Sequence, residues 1–197
     1  MTSRRILLVQ GHPDPGSGHL CHALAAAYAA GAAKGGHAVR QVDVARLEFP
    51  LLRSQHEWEH GALPPGLQQA QEDIRWAEHI VLFFPLWLGD MPALLKGFLE
   101  QVARPGFAFD YSDSGPAFTR KGLTGRSARV VVTMGMPALV YRWYFRAHSV
   151  KLLERNILGF VGIAPVHQTL LGGVGALDAG QAARWLAKMR RHGERGD

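Results

Sequence analysis

The chain has 197 residues, 47% of them hydrophobic and 19% charged, which fits one globular domain and argues against a second. Its formal net charge is +6, but the cations are dispersed apart from a run near the C-terminus that suits a helix end, so we expect no nucleic-acid partner. The apolar runs are too short for an integral membrane segment or a signal peptide, and the one cysteine excludes an intrachain disulfide. The sequence therefore predicts a cytoplasmic protein.

Five apolar runs of strand length alternate with helix-like segments along the chain. The predicted strands are 6–9, 38–42, 79–84, 128–133 and 166–171, and the predicted helices cover about 19–34, 66–77, 91–103, 141–159 and 178–193. Residues 47–65 and the segment between 103 and 128 are predicted to be irregular connections. The alternation indicates an α/β fold, in which a doubly wound parallel sheet of order 2-1-3-4-5 carries helices on both faces of a single domain over 1–197.

The loops after strands one, three and four form the candidate site, because ligands of such sheets bind beyond the carboxyl ends of the strands where the strand order reverses. The first loop, 11–19, reads GHPDPGSGH and offers glycines, a hydroxyl and imidazoles before a helix start, which favours a phosphate site. An ordinary glycine-proline turn with a serine cap is the alternative. A P-loop needs Lys and Ser or Thr where Ser17 and Gly18 stand, and a dinucleotide fingerprint needs a third glycine where Cys21 stands.

The other two loops are apolar and rich in turn residues. Residues 85–92 read PLWLGDMP and residues 133–137 read TMGMP. Each loop can present backbone amides to the edge of a planar ring, with Trp87 and Leu88 packed beside it. A phosphate cradle and two such walls at neighbouring strand ends predict a site for a flat, phosphorylated ring system such as flavin mononucleotide, FMN.

These stretches resemble the flavodoxin-like NAD(P)H:quinone oxidoreductases, a family that includes DT-diaphorase. The similarity is carried, in order and spacing, by HPDPGS (12–17), FPLW (84–87), MPALLKGF (91–98), GFAFDY (106–111), GPAF (115–118) and TMG (133–135). It implies a flavodoxin-like fold, a homodimer whose two flavin sites are lined by both chains, and two-electron transfer from NAD(P)H through the flavin to a quinone. The short C-terminus lacks an obvious adenine-binding extension, which favours FMN over FAD.

The resemblance also implies roles for individual residues. Tyr141 and His148 take the places of the catalytic tyrosine and histidine, and Phe109 and Tyr111 those of aromatics that reach into the partner's acceptor pocket. Gly18 and His19 stand where the family usually has a phenylalanine and an asparagine, and Leu88 and Gly89 stand where it often has large aromatics. These differences predict a roomier acceptor pocket. The implied cofactor ligands are His12, Ser17, Gly18, His19 and Leu20 at the phosphate, Pro85, Leu86, Trp87 and Leu88 along the ring, and Thr133, Met134, Gly135 and Met136 at its pyrimidine side.

Two alternative functions share the same site, namely a regulatory subunit of a potassium-efflux transporter and a single-electron carrier. Carriers of this fold are usually acidic, and this chain is basic. A third pattern, HEWEH at 56–60, matches the H-E-x-x-H zinc motif. Gly61, Pro64 and Pro65 interrupt any helix there, so we expect a polar surface turn and no metal.

Overall fold

The computed structural model describes residues 2–16, 18–112 and 115–197. The strands are β1 (Arg5–Gln10), β2 (Ala38–Asp43), β3 (His79–Pro85), β4 (Phe109–Ser112), β5 (Gly115–Lys121), β6 (Ser127–Thr133) and β7 (Val166–Leu171). The α-helices are α1 (Leu20–Lys34), α2 (Gln55–His60), α3 (Gln68–Trp76), α4 (Ala93–Val102), α5 (Ala138–Trp143), α6 (His148–Leu152), α7 (Gly159–Val161) and α8 (Ala179–Arg195), and a π-helical segment (Leu153–Leu158) joins α6 to α7.

Five strands form one parallel sheet in the order β2-β1-β3-β6-β7, which confirms the predicted doubly wound topology. The central strand β3 is buried at all of its positions, because helices cover both faces of the sheet, whereas the edge strand β2 is largely exposed. Two hydrophobic clusters, one on each face, hold the helices against the sheet. The strand order reverses between β1 and β3.

Helices α1 and α8 pack on one face of the sheet at very short range. A Cβ atom at Gly31 would lie 2.0 Å from the carbonyl oxygen of Arg190, and a Cβ atom at Gly193 would lie 2.1 Å from that of Tyr28. Only glycine permits this backbone contact. Helix α8 begins close to the predicted start, since the Asp178 carboxylate caps it by accepting a hydrogen bond from the backbone N–H of Gln181.

Two elements were not predicted from the sequence. Strands β4 and β5 form an antiparallel hairpin in the expected loop, and an Arg120–Asp110 ion pair (Nη2 to Oδ2, 2.7 Å) joins its strands. Helix α2 forms in the expected irregular connection, because the Ser54 hydroxyl caps it by accepting from the N–H of Glu57 at 3.1 Å.

The region predicted as one helix over about 141–159 is interrupted. Arg146 and Ala147 both have left-handed backbone conformations, with φ of 52° and 50°, so the chain turns between α5 and α6. None of the helices in the described residues has the length and apolarity that a membrane crossing requires.

Candidate active site

The loops after β1, β3 and β6 are joined to one another by direct hydrogen bonds. The N–H of Gly11 donates to the carbonyl of Phe83 at 2.7 Å, and the N–H of Leu86 donates to the carbonyl of Thr133 at 2.8 Å. The Cys21 thiol on α1 and the Thr133 hydroxyl lie 3.1 Å apart. The three loops therefore meet at the carboxyl edge of the sheet where its strand order reverses.

Cys21 serves this junction as a structural thiol. Burial raises the pKa of its thiol to about 11, so the group stays protonated at neutral pH. Its side chain is buried.

Asp14 organises the loop after β1. Its carboxylate accepts from the N–H of Gly16 at 2.8 Å and from Nε2 of His19 at 2.8 Å, and its carbonyl accepts from Nε2 of His22 at 3.0 Å. The hydrogen bond from His19 is the main reason that the pKa of Asp14 lies below its usual value. The loop is thus held by its own side chains at the position predicted for a phosphate.

Three imidazoles, which we call the histidine cluster, gather around Asp14: His12, His19 and His22. The rings of His12 and His19 stack with centroids 4.0 Å apart, and the His22 ring lies 5.5 Å from His12 and 5.9 Å from His19. The edge of Trp87, on the loop after β3, contacts His12 with 6.0 Å between ring centroids. The cluster therefore connects the first loop with the second.

His12 is anchored to the backbone of Asp14 within this cluster. Its Nδ1 lies 3.1 Å from the backbone nitrogen and 3.2 Å from the carbonyl oxygen of Asp14, and its Nε2 has no hydrogen-bond partner among the described residues. Burial, with a further contribution from His19, lowers the pKa of His12, and the side chain is only 6% exposed. His12 can therefore donate a hydrogen bond to an anion at neutral pH without carrying a charge itself.

The first turn of α1 adds further donors. Its N-cap residue, His19, places no side-chain hydrogen bond on the helix, and the first turn contains no acidic residue. The N–H groups at the start of an α-helix have no carbonyl partner within the helix and attract anions. Gly18 and Leu20 lie at this helix start, as predicted, whereas Ser17 lies outside the described residues.

The loop after β3 is a tight turn closed by reciprocal bonds between Trp87 and Asp90. The Trp87 N–H donates to Asp90 at 2.8 Å, and the Asp90 N–H donates back at 3.0 Å. Leu88 and Gly89 adopt left-handed conformations at the tip, with φ of 49° and 83°. Trp87 is 51% exposed and stands as a wall over the strand ends.

Most backbone N–H groups of this loop already donate to protein carbonyls, so few of them can donate to a ligand. Pro85 has no N–H, the Leu86 amide is bonded to Thr133, and the Trp87 amide is bonded to Asp90. Of the four residues predicted along the ring, only Leu88 keeps an amide without a protein acceptor in the described part of the chain.

The loop after β6 forms the opposite wall. Thr133 and Met134 are buried, and the N–H of Met134 donates to Leu171 at 2.8 Å. Gly135 is exposed, and a Cβ atom built there would meet nothing within 4 Å. The amides of Gly135 and Met136, like that of Leu88, have no backbone acceptor among the described residues.

Tyr141 lies in the core of this chain. It is 1% exposed, its hydroxyl lies 2.6 Å from the Ser149 hydroxyl, and it accepts the N–H of Val150 at 3.3 Å. This position differs from the sequence expectation, in which the hydroxyl returns to the ligand edge. His148 is exposed at the start of α6. A catalytic role for either residue stays a prediction.

The hairpin aromatics divide between core and surface. Phe109 is 2% exposed because its ring packs between Trp58, with centroids 5.6 Å apart, and Phe160, with centroids 4.9 Å apart. Tyr111 is about half exposed and contacts Phe109 edge-on at 5.5 Å. Within this chain, Tyr111 rather than Phe109 therefore presents an aromatic surface to a second molecule.

A cavity of about 570 Å³ lies beside this aromatic cluster. Its lining includes Trp58, Leu99, Phe109, Ile157 and Phe160, with Arg53 and Lys96 also present. Its lining residues belong to α2 and the segment before it, to α4, to the hairpin and to the π-helical segment with α7, rather than to the three strand-end loops. Its walls combine aromatic and aliphatic side chains with charged and polar ones.

The HEWEH segment forms a one-and-a-half-turn surface helix, α2, and not the expected turn. The His56 and His60 rings lie 5.0 Å apart, but the Glu57 carboxylate accepts from the N–H of Arg53 at 3.2 Å. Residues 2–16, 18–112 and 115–197 contain no group of three or more side chains placed to hold a metal ion. The absence of zinc stays a prediction.

Sequence reasoning missed three residues of the site. His22 is the third member of the histidine cluster, Asp14 binds two of its rings, and Asp90 closes the Trp87 turn. The signal for His22 was its position three residues after His19, which places both on one face of a helix. The signal for Asp90 was its neighbour Gly89, which favours a turn.

Residues 4–192 match a family model described as the flavodoxin-like fold, so the chain belongs to this family. Among curated proteins, a ribosyldihydronicotinamide dehydrogenase-like protein of Penicillium crustosum is 29% identical over 155 residues, which cover 66% of this chain and 57% of that protein. An FMN-dependent NADH:quinone oxidoreductase of Colwellia psychrerythraea is 32% identical over 96 residues, covering 48% of this chain and 46% of the relative. The matched segments thus span about half the length of these two relatives.

Similarity to solved structures extends over nearly the whole chain. The NAD(P)H:quinone oxidoreductase of Methanothermobacter marburgensis superimposes with a TM-score of 0.81 at 25% sequence identity. The superposition covers 98% of this chain and 97% of that one. The two proteins therefore share the complete fold, including the strand ends that carry the candidate site.

Proposed function

We propose that this chain binds FMN at the ends of β1, β3 and β6 and catalyses two-electron transfer from NAD(P)H to a quinone or similar acceptor. The observation that carries the proposal is the direct bonding of the three strand-end loops into one site with donors at one end and apolar walls at the other. The named relatives, an FMN-dependent quinone oxidoreductase and a quinone reductase of the same fold, support the same conclusion.

The residues present fit FMN. Nε2 of His12 and the first-turn amides of α1 are suited to the phosphate, together with Gly18, His19 and Leu20. Trp87 supplies a flat apolar wall, and the open space at Gly135 leaves room for the ring. FMN, when bound, accepts a hydride from NAD(P)H and passes two electrons to an acceptor.

The protein's own contribution is binding, orientation and hydrogen bonding. The amides of Leu88, Gly135 and Met136, which have no backbone acceptor among the described residues, would donate to the polar edge of the ring, where negative charge develops on reduction. Trp87 restricts the nicotinamide and the acceptor to one stacked geometry, which makes transfer between bound rings effectively unimolecular. Charge stabilisation by Tyr141 requires its hydroxyl to leave Ser149, and His148 is the exposed alternative donor.

We further propose that the protein works as a homodimer in the cytoplasm. Five exposed apolar side chains, three of them aromatic, lie on and after α5 and are called the aromatic patch: Leu139, Val140, Trp143, Tyr144 and Phe145. Exposed aromatics of this density favour a protein interface. Tyr111 of each chain then completes the acceptor pocket of the other, and the dimer buries surface that a lone chain leaves in water.

The decisive assay is steady-state oxidation of NADH and NADPH by the purified protein, with and without a soluble quinone. An enzyme shows turnover that depends on quinone, at rates within the ordinary range of about 1 to 1000 per second. A flavin-loaded protein that turns over neither nucleotide would instead be a carrier or a regulatory subunit. The assay therefore separates an enzyme from the two non-enzymatic functions that share this site.

A further inference from the structure

The histidine cluster supplies more titratable groups than a phosphate site requires. Burial lowers the pKa of His12, whereas His19 and His22 are more exposed and each donate from Nε2 to an oxygen of Asp14. Since Nε2 carries the donated proton in both rings, Nδ1 is the atom that remains to be protonated. Proton uptake at Nδ1 adds a positive charge without breaking the bond that positions the ring.

We propose that His19 and His22 bind the phosphate of the cofactor as cations, so that proton uptake accompanies cofactor binding and affinity falls as the pH rises above neutrality. This inference rests on the proposed function, because it assigns the anchoring group of the same FMN site. It adds His22 to the phosphate ligands and makes the site sensitive to pH.

Repulsion between the closely spaced rings of the histidine cluster explains why we expect His19 and His22 to take up a proton when the phosphate binds. Three rings within 4.0 to 5.9 Å of one another repel when charged, and Asp14 supplies a single negative charge between them. Mutual repulsion with His19 and His22 contributes to the lowered pKa of His12. A phosphate brings up to two further negative charges, and these stabilise imidazolium groups beside it.

The other charged residues near the histidine cluster do not supply the negative charge that its imidazolium groups need. From the segment after β2, Arg46 donates to the carbonyl of Pro15 at 3.4 Å and pairs with Asp43 at 3.0 Å, so these two charges offset each other. From the loop after β3, Asp90 faces its own turn, and its carboxylate accepts from the N–H of Met91. The loop after β6 carries no charged residue between 133 and 141, and Cys21 on α1 stays neutral.

The test compares the binding of FMN with that of riboflavin, which has the same ring and no phosphate. Dissociation constants are measured from the quenching of flavin fluorescence between about pH 6.5 and pH 8.5, where histidine titrates. We expect the preference for FMN over riboflavin to fall about tenfold or more across this range, since uptake of one proton changes affinity by up to tenfold per pH unit.

The matched variants are His19→Asn with His22→Gln, and His167→Gln on the edge strand β7 as a control far from the loop. The double variant should bind FMN more weakly at pH 6.5 and keep a nearly constant preference for FMN, whereas the control should behave as the wild type. Ionisation of the FMN phosphate itself is common to all three proteins and cancels in the comparison.

A second measurement does not depend on any variant. Calorimetry of FMN binding to the wild type in two buffers with different ionisation enthalpies gives the number of protons taken up, which we expect to be about one near neutral pH. No proton uptake, or the same pH slope in the wild type and the double variant, would overturn the inference while leaving the FMN site intact. Failure to bind either flavin at any pH would overturn the proposed function and this inference together.

Discussion

The buried hydroxyl of Tyr141 gives a test at the scale of one residue. Tyr141→Phe keeps the ring but removes the acceptor for the N–H of Val150 and the partner of Ser149. We expect the free energy of unfolding in urea to fall by about 1 kcal/mol, the usual value of one buried hydrogen bond. The two half-reactions, followed by stopped flow, should change little.

A different outcome would show that Tyr141 takes part in the reaction. Loss of one donor to developing charge typically slows a step by about 10 to 1000-fold. Such a loss in either half-reaction, at full flavin content, would mean that the hydroxyl leaves Ser149 during turnover.

The buried side chain of His79 should make the free energy of unfolding depend on pH. Burial, with Arg4 and Arg129 nearby, lowers the pKa of His79 to about 4, and its Nδ1 lies 2.8 Å from the Ser127 hydroxyl. The folded pKa lies below the unfolded value of 6.5, so the unfolded chain binds the proton more readily. The contribution of His79 to the free energy of unfolding is therefore fully present above pH 6.5. It is lost as the pH falls toward 4, and the total loss is about 3 kcal/mol.

The check is urea unfolding of wild type and His79→Gln at about pH 7 and pH 5. The variant should lose less stability than the wild type between these two values, because it lacks the group that protonates on unfolding. Equal losses in the two proteins would mean that His79 does not contribute to acid sensitivity. The comparison also removes the contributions of the other histidines, which both proteins share.

At the scale of elements, the sequence predicts the parallel sheet well because its three inner strands β1, β3 and β6 contain runs of apolar residues, and helix-like segments separate all five strands. The hairpin was missed because its strands carry glycine, proline and charged residues, and Asp110 and Arg120 become partners only when the strands pair. In the candidate site, too, contacts between side chains from different parts of the loop could not be predicted from the sequence. The loop compositions predicted the strand-end location, but the ring stacking of His12 on His19 depends on three-dimensional folding.

The contact between α1 and α8 gives a prediction at this scale. Gly31→Ala places a methyl group 2.0 Å from the carbonyl of Arg190, so the helices must separate. We expect a loss of about 2 to 3 kcal/mol in urea unfolding, although alanine alone would favour a helix by about 1 kcal/mol. Gly175→Ala is the control, since its new methyl group meets nothing within 4 Å. A stabilised Gly31→Ala protein would contradict the close packing.

At the scale of the whole molecule, the aromatic patch predicts a dimer. Light scattering at micromolar concentration should give twice the mass of one chain. Trp143 is 78% exposed, so Trp143→Glu should leave the fold unchanged by circular dichroism while shifting the protein toward monomer. A wild-type monomer would remove the partner that the acceptor pocket requires.

The central claim is that one flavin occupies the strand ends of each chain. The measurement is the absorbance spectrum of the purified protein, followed by release of the cofactor and its identification by chromatography. We expect a yellow protein with close to one FMN per chain, or one that gains this content when FMN is added. A colourless protein that takes up neither FMN nor FAD would contradict it.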